Sequence, residues 1–433
     1  MAVTAFDSIV LKDSRDYSRL DSTIYNRARL SGLNVMVVGA GALGNEVIKN
    51  LTLLGLGTIY IVDRDVIESS NLTRSVLYCV PHVQQIISNR TRKAEFAASR
   101  VREINPEVRC VAIAKEIADV GLGVVARMHL VFSCLDNESA RLELSRACRR
   151  VNVPFVDAGL GTTNYSSGLI SLFPGSGGPC YACRKGRQKR KELLQELYGI
   201  EDPCWMKERR LEEQGTVSTT PLMASVVGAI QVEMGLRHIL TPQSCTPSEG
   251  KSVRVLLSPS QLIECFSFTV SRECSLHDGN VGEITKLNGH SFDDVSVAEL
   301  ISSITEETKS GEGSLCLDWP LIVEGECRHC GRVWRPMIRK ARFRREGCLS
   351  CNSSDVAARQ VVTAIENYSP LASMTLAQLG LPPQHIHEVC WGGSSASRKY
   401  VELSGDWRDQ HWLKPHGFEN SLLCRRNDLG VSH

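Results

Sequence analysis

The first third of the chain alternates short apolar runs with amphipathic stretches of helical spacing. Three runs rich in β-branched residues, at 33–38, 58–62 and 130–133, predict buried strands. A helix is predicted over 46–54, where apolar residues recur three and four positions apart, and an apolar helix over Pro221–Leu240. Strands separated by helices predict right-handed crossovers, so we expect an α/β fold with a doubly wound, mostly parallel sheet.

Chain length and composition set the expected number of domains and exclude some classes of protein. A chain of 433 residues should form two or three packed units, which we place at 1–285, 286–360 and 361–433. The alternating Tyr400-Val401-Glu402-Leu403 predicts a strand that returns to a folded unit. A net charge of +2 gives no global reason to bind nucleic acid. The sequence has no 18-residue apolar run and no secretory signal at its start, so a cytoplasmic protein without membrane association is expected.

A glycine-rich turn joins the first predicted strand to the first helix. Gly39, Gly41 and Gly44 form a GxGxxG pattern, in which successive glycines permit a tight turn, phosphate approach and close helix packing. The helix N-terminus offers free N–H groups to an anion. Some 20 residues later, Asp63 ends the second strand, where a carboxylate can accept hydrogen bonds from ribose hydroxyls. These features predict a Rossmann-like nucleotide site, and taken alone they favour a nicotinamide cofactor.

Polar residues that follow Asp63 favour a nucleoside triphosphate instead. Asp65 comes two positions later, and Asn71, Arg74 and Lys93 come next along the chain. Pyrophosphate that leaves an α-phosphorus needs fixed cations and hydrogen-bond donors around its oxygens, which a nicotinamide site does not.

Asp136 stands at the carboxyl end of another predicted strand. A carboxylate at this position can hold Mg²⁺ against phosphates. The equally open interpretation is that Asp136-Asn137 forms the N-cap of the helix that follows.

Together, these segments resemble the ThiF, MoeB and ubiquitin-activating superfamily. The resemblance covers residues 15–285 and rests on the glycine turn, 62–65, 70–74, Lys93-Ala94 and 134–137. It implies ATP and Mg²⁺ as cofactors, bound by the following residues: Gly39, Gly41, Gly44, Asp63, Asp65, Asn71, Arg74, Lys93 and Asp136. Asp63 would bind ribose, the next polar residues the phosphates, and Asp136 the Mg²⁺. Ser75 departs from the glutamine that often follows the arginine in this superfamily.

Arg15 and Arg19 resemble the N-terminal arginine motif that members of the superfamily lend across a dimer interface. The resemblance implies a homodimer with a composite site. An ordinary surface helix is the alternative interpretation of these two arginines.

The cysteines predict two zinc sites. Their number, 17, is odd, which in a reducing compartment favours metal ligands and free thiols over disulfides. Two C-x₂-C pairs with ribbon spacing predict a structural zinc ribbon, formed by Cys327, Cys330, Cys348 and Cys351. By its resemblance to the superfamily, a second Cys₃His site is expected from Cys180, Cys183, Cys274 and His277. A redox CxxC motif is the alternative for the first two of these residues.

Cys204 is the candidate nucleophile. It lies in the crossing segment, about 184–220, which carries the catalytic cysteine in thioester-forming relatives, and a thiolate can take the acyl group from an adenylate. In some relatives the cysteine is closer to Thr219-Thr220-Pro221, so a small apolar residue beside Trp205 remains the alternative. Cys390 is a more distant candidate. The basic stretch 184–191 is either a solvated face or a contact for an acidic partner.

The resemblance as a whole implies an enzyme that adenylates the C-terminal glycine of a ubiquitin-like protein. Arg74, Lys93 and Asp136 would assist this step. Cys204 would then form a thioester and pass the modifier to the active-site cysteine of a conjugating enzyme. Residues 402–406 resemble the C-terminal strands of activating enzymes in bacterial modification systems, some of which act in antiviral defence.

Three alternatives remain open at this point. The first is an adenylyltransferase for a sulfur-carrier protein that forms no thioester, although the zinc ribbon and the long crossing segment favour conjugation. The second is a non-catalytic scaffold that acts through the ribbon, and the third is a nicotinamide oxidoreductase. The intact set of phosphate ligands argues against both of these.

Overall fold

The computed structural model describes residues 15–161, 166–198, 219–242, 248–258, 261–277, 280–305, 312–392 and 397–407. These residues form two units, each built around one sheet. Cys204 lies outside the described residues.

The first sheet extends the predicted parallel core with an antiparallel edge. Its strands are β1 (Asn34–Val38), β2 (Thr58–Val62), β3 (Arg109–Ile113), β4 (Leu130–Ser133), β5 (Phe155–Leu160), β6 (Ser167–Phe173), β7 (Glu249–Leu256) and β8 (Leu262–Thr269). They lie in the order β3-β2-β1-β4-β5-β6-β7-β8. The first five are parallel and the last three antiparallel, which confirms the predicted α/β class and adds an antiparallel edge to the parallel core.

The helices of the described residues cover both faces of this sheet and one face of the second. They are α1 (Ser18–Asp21), α2 (Arg27–Leu30), α3 (Ala42–Leu53), α4 (Val83–Ser88), α5 (Lys93–Ile104), α6 (Leu122–Ala126), α7 (Glu138–Arg150), α8 (Arg187–Tyr198), α9 (Pro221–Leu240), α10 (Val297–Thr305) and α11 (Lys340–Glu346). Short 3₁₀ turns occupy Ser69–Asn71, Val76–Tyr78, Ile117–Asp119, Tyr181–Arg184, Ser275–His277, Pro370–Ser373 and Ser404–Trp407. Within the described ranges, no helix combines the length and apolar character that crossing a bilayer requires.

Alternation along β1 explains why the sheet is covered on both sides. Val35 and Val37 pack with α3, α5 and α9, whereas Met36 and Val38 pack with α6 and α7. The predicted helix Pro221–Leu240 is confirmed as α9, which begins where the Thr220 side chain accepts a hydrogen bond from the Met223 N–H. Because a parallel sheet is apolar on both faces, its strands appear in the sequence as continuous rather than alternating apolar runs.

The second unit is one sheet built from both predicted C-terminal segments. Its strands are β9 (Ile284–Leu287), β10 (Gly313–Cys327), β11 (Val333–Trp334), β12 (Ile338–Arg339), β13 (Val356–Glu366), β14 (Ile386–Trp391) and β15 (Ser397–Leu403). They follow the order β11-β10-β14-β15-β9, and β12 and β13 also pair with β10. The boundary expected at residue 360 falls inside β13, so 286–360 and 361–433 share one sheet because β10 pairs with strands from both.

Charged side chains join the two units. Arg127, after α6, binds Glu402 of β15 through two hydrogen bonds of 2.7 and 2.9 Å, and its guanidinium stacks 3.5 Å above the Trp407 ring. Glu402 is buried. A buried carboxylate is stable only with its partner in place, so this pair fixes how the second sheet sits against the first unit.

Removal of this partner should destabilise the protein. Arg127→Ala leaves the Glu402 carboxylate buried without a counter-charge, and we expect a loss of about 2–3 kcal/mol in the free energy of unfolding. Chemical denaturation followed by tryptophan fluorescence measures this loss. The control is Arg237→Ala, which removes an exposed pair with Glu233 on α9 and should cost about 0.5 kcal/mol or less. Equal losses in the two variants would contradict the structural role of the Arg127–Glu402 pair.

Candidate active site and metal centres

Three of the predicted nucleotide residues lie at the carboxyl ends of β1, β2 and β4. Gly39 follows β1, Asp63 follows β2, and Asp136 lies three positions after the end of β4. The chain leaves β1 toward β2 and leaves β4 toward β5, so the loops that follow these two adjacent strands run toward opposite sides of the sheet. Open α/β sheets bind ligands in the crevice at this kind of switch point.

The three glycines of the turn have different local surroundings. Gly39 has a φ of +95°, and a Cβ atom on it would lie 2.5 Å from the Cys134 carbonyl oxygen. A Cβ atom on Gly44 would lie 1.9 Å from the Gly39 oxygen, so α3 can approach the turn only without a side chain here. A Cβ atom on Gly41 would meet no atom within 4 Å. The protein itself therefore requires the first and third glycines, while the second borders open space that a phosphate can enter.

Two buried side chains, which the sequence analysis did not single out, hold the turn in place. The Tyr78 hydroxyl donates to the Ala40 carbonyl at 2.6 Å. The Asn45 amide donates to the Ala40 and Gly41 carbonyls at 2.8 and 3.0 Å, and its oxygen accepts from the Leu77 N–H. Burial raises the pKa of Tyr78, so the hydroxyl stays a donor. The position of Asn45, directly after the third glycine of the turn, is a sequence signal that could have indicated its role. Tyr78 has no comparable signal in the sequence.

Asp63 is oriented by the backbone. Its carboxylate oxygens accept hydrogen bonds from the Ala40 N–H at 2.7 Å and the Asp65 N–H at 2.8 Å. Burial raises the pKa of Asp63, and these two hydrogen bonds together with the nearby Lys93 charge oppose the rise. A carboxylate oxygen can accept more than one hydrogen bond, so Asp63 retains capacity for ribose hydroxyls.

The two predicted cations stand in different environments. The Lys93 Nζ atom lies 3.1 Å from an exposed Asp65 carboxylate oxygen, at the start of α5. Arg74 follows the 3₁₀ turn that Asn71 closes by accepting from the Glu68 N–H at 2.9 Å. No described residue pairs with the Arg74 guanidinium, which is partly exposed. Arg74 is therefore available to bind an anion. Lys93 can also bind an anion if it gives up its ion pair with the exposed Asp65 carboxylate.

The cap of α7 distinguishes between the two interpretations of Asp136-Asn137. The Asn137 side chain accepts a hydrogen bond of 2.7 Å from the Ala140 N–H and is the N-cap. Asp136 is exposed, and none of the described side chains or N–H groups binds its carboxylate. Arg141 donates to the Leu135 carbonyl at 3.0 Å and so steadies the loop that carries Asp136. The role of Asp136 as a Mg²⁺ ligand stays a prediction. Because Asn137 is the N-cap, Asp136 has no competing role in capping the helix.

The N-terminal arginines lie away from this chain's own site. Arg15 donates a hydrogen bond to the carbonyl of Ile104, the last residue of α5. Lys93 is the first residue of the same helix, and a helix of this length places the two ends about 17 Å apart. Arg19 lies in α1, is exposed and makes no contact with the predicted nucleotide residues. The predicted contribution of both to a partner's site stays a prediction.

The basic stretch after Cys183 is tied to the first unit at several points. Lys185 and Lys189 form ion pairs with Glu138 of α7, the second at 2.8 Å. Although burial opposes the effect, the hydrogen bonds from these lysines lower the pKa of Glu138 to about 2. Arg184 lies 3.7 Å from the buried Asp157 carboxylate. Part of this stretch is therefore not a simply solvated face.

Two groups of four side chains bring their predicted metal-ligating atoms close together. In the first group, the Cys180 sulfur lies 3.8 Å from that of Cys183 and 3.6 Å from that of Cys274, and His277 Nε2 lies 3.0 Å from the Cys183 sulfur. In the second group, Cys327–Cys351 and Cys330–Cys348 are both 3.6 Å apart. Zinc–sulfur bonds of about 2.3 Å give a tetrahedral edge of about 3.8 Å. Both predicted ligand sets are brought together with all their ligand atoms within 4.8 Å of one another, and their sulfur–sulfur distances are close to this edge.

Comparison with known proteins shows that the sequence similarity extends beyond these motifs. The profile of the ThiF family matches residues 18–263, more than half of the chain. The chain is 33% identical over 175 residues to mouse adenylyltransferase and sulfurtransferase MOCS3, covering 40% of this chain and 36% of that protein. It is 35% identical over 158 residues to the SAMP-activating enzyme E1 of Haloferax volcanii, covering 36% and 55%.

Further similarity is found to proteins of Escherichia coli. The sulfur carrier protein ThiS adenylyltransferase is 27% identical over 177 residues, 40% of this chain and 67% of that protein. The crystal structure of E. coli MccB with ATP is 20% identical, covers 62% of this chain and 75% of that one, and has a TM-score of 0.47. The chain spans about a third to about half of the length of the mouse and Haloferax proteins. With the family profile matched over more than half of its residues, the chain belongs to the ThiF family.

Proposed function

We propose that this protein uses ATP to adenylate the C-terminal carboxylate of a ubiquitin-like protein. The observation that carries the proposal is one edge of the sheet, where an open glycine turn, the oriented Asp63, the available Arg74 and the uncapped Asp136 carboxylate occur together. The names of its relatives, adenylyltransferases and an activating enzyme, support it.

The first step needs no general base. The modifier's terminal carboxylate is already ionised at pH 7 and attacks the α-phosphorus of ATP, so that pyrophosphate leaves. Arg74, Lys93 and the Asn71 amide stabilise the charge that develops on the phosphate oxygens. Lys93 can exchange the exposed Asp65 for phosphate because exposed ion pairs contribute little. Asp136 would hold Mg²⁺, which neutralises phosphate charge when it is bound.

The second step in the proposal is thioester formation. The Cys204 thiolate attacks the acyl adenylate, AMP leaves, and the modifier then passes to the cysteine of a conjugating enzyme. A homodimer completed by Arg15 and Arg19, a cytoplasmic location and a place in bacterial antiviral conjugation belong to the same proposal. A second candidate ends at the adenylate and serves a sulfur-carrier protein. The relatives named as sulfurtransferase and ThiS adenylyltransferase favour it.

Zinc is the metal proposed for both tetrahedral groups. Each group offers four soft or borderline ligands and leaves no open coordination position, which is typical of structural zinc. Such ions would link the 3₁₀ turns Tyr181–Arg184 and Ser275–His277 in the first unit, and the end of β10 to residues 348–351 in the second. The ribbon would then serve as a rigid surface for docking.

Adenylation is tested by modifier-dependent exchange between ATP and labelled pyrophosphate. The substrate supplied is a small ubiquitin-like protein of the β-grasp type. We expect Asp136→Ala and Arg74→Ala to lower the exchange rate about 100-fold or more, because each removes a group that binds the phosphates or their metal. The exposed Asp293→Ala is the matched control and should retain wild-type exchange. Exchange within threefold of wild type in both site variants would contradict the assignment.

Thioester formation is tested separately. Cys204→Ser should retain pyrophosphate exchange but lose the adduct with the modifier that a reducing agent cleaves on a denaturing gel, because an adenylate needs no thiol and a thioester does. An adduct that persists in Cys204→Ser would assign another cysteine as the nucleophile. Exchange with no reducible adduct in the wild type would favour the sulfur-carrier function.

Zinc content tests the metal centres. The purified protein should contain two zinc ions per chain, and Cys183→Ser or Cys330→Ser should each lower the content to one because a four-ligand shell loses a member. The thermal unfolding midpoint should fall in the same variants. Cys265→Ser, in an exposed cysteine of β8, should keep both ions and the wild-type midpoint. A content of two ions in all three variants would exclude these ligands.

A further inference from the structure

Two cysteines outside the metal groups meet on the second sheet. Cys316 lies in β10 and Cys390 in β14, and the antiparallel register pairs Cys316 with Glu388 and Ser314 with Cys390. Residues two apart on a strand share one face, so the two cysteines are diagonal neighbours on the same side of the sheet. Their sulfur atoms are 2.9 Å apart, and both side chains are partly exposed.

The distance between the sulfur atoms argues against a third metal site. Glu388 places a carboxylate oxygen within 4.8 Å of both sulfurs, so a metal with three protein ligands is the first alternative. In the two tetrahedral groups, however, neighbouring sulfurs are 3.6 to 3.8 Å apart, whereas Cys316 and Cys390 are 2.9 Å apart. Two thiolates on one zinc ion need about 3.8 Å. Glu388 is also already bound to Arg398 at 3.2 Å and Arg150 at 3.5 Å.

We propose that Cys316 and Cys390 form a dithiol that a hydroperoxide oxidises to a disulfide between β10 and β14. Bond formation shortens the distance between the two sulfurs from 2.9 Å to about 2.05 Å. The sequence alone does not indicate this pair, because the two cysteines are far apart in the chain and only the register of the sheet brings them together.

The reaction balances with hydrogen peroxide as the oxidant. The Cys316 thiolate attacks one peroxide oxygen, the O–O bond breaks, and the departing hydroxide takes up a proton to give water and a sulfenic acid. The Cys390 sulfur then attacks the sulfenic sulfur, the S–O bond breaks, and the leaving hydroxide takes the Cys390 proton to give a second water. Two thiols thus lose two electrons, and one peroxide becomes two waters.

The local environment assigns the order of these steps. The contact between the two sulfurs lowers the pKa of Cys316 and raises the pKa of Cys390. This difference favours Cys316 as the attacking thiolate and Cys390 as the resolving thiol. By contrast, burial raises the pKa of Cys110 to about 12, which leaves that thiol protonated. A low pKa, partial exposure and an adjacent resolving cysteine are the features of a peroxide-sensitive pair.

The pair lies beside the contact between the two units. Glu388, directly opposite Cys316, reaches Arg150 of α7, and Arg150 also binds Asp318 of β10. A disulfide here would link the two strands that carry this contact. The site is separate from the nucleotide-binding edge, so its chemistry can be measured without any assay of adenylation.

The test uses peptide mapping of the intact, zinc-loaded protein. The protein is treated with a small molar excess of hydrogen peroxide, alkylated, and digested with trypsin and Glu-C. The fragments 313–324 and 389–398 each contain one cysteine, Cys316 and Cys390. We expect these fragments to appear linked after peroxide, to separate after reduction, and to account for the loss of two free thiols per chain.

Variants and metal content provide the controls. Cys316→Ser and Cys390→Ser should each abolish the link, Cys265→Ser should keep it, and all three should keep the zinc content of the wild type. The proposal is overturned if peroxide leaves both fragments unlinked in the wild type. It is equally overturned if the untreated wild type binds a third zinc ion that Cys316→Ser removes. The wild-type map alone decides the first point, even if a variant folds poorly.

Discussion

The approach of α3 to the end of β1 controls the geometry of the nucleotide-binding edge. The Gly44 position allows no side chain against the Gly39 oxygen, and Gly39 itself sits under the Cys134 carbonyl. With these contacts in place, the first turn of α3 directs its free N–H groups over the end of the sheet. Asn45 and Tyr78 then hold the turn from inside the core. A bulkier residue at either glycine would move the helix and with it the phosphate site.

Hydrogen bonding at this edge also separates residues that serve the fold from residues that are available to a ligand. Asn137 satisfies the start of α7, and Asn71 closes a short 3₁₀ turn. Asp136 and Arg74 lie close to these residues in the sequence, but their side chains form no hydrogen bond or ion pair with the described residues. Side chains of opposite charge that the fold leaves unused, at the crevice of an α/β sheet, are well placed for a metal–nucleotide complex. This division of roles supports adenylation more strongly than the glycine pattern alone.

Charge and sulfur organise the second unit. Arg127, Arg150 and Arg339 each reach carboxylates across the contact between the two units, so its orientation depends on paired buried charges as well as on apolar packing. The cysteines divide by distance: the sulfurs of the two predicted metal-binding groups are 3.6 Å or more apart, and the Cys316–Cys390 pair is closer, at 2.9 Å. Sequence spacing identifies the C-x₂-C pairs, because their ligands lie in local turns. Sequence spacing cannot identify two cysteines that become neighbours only because their strands pair in a particular register.

The sequence by itself determined the α/β class and the glycine turn, and it predicted the carboxylates and cations of the nucleotide edge and the two groups of metal-ligating residues that the structure brings together. These depend on local periodicity and short motifs, which act over a few residues. The tertiary structure decided the antiparallel strands β6 to β8, the single sheet formed across residue 360, and the cap role of Asn137. It also decided the contacts of Tyr78 and the meeting of Cys316 with Cys390. Each of these arises from contacts between residues far apart in the chain, whose pairing depends on packing rather than on local pattern.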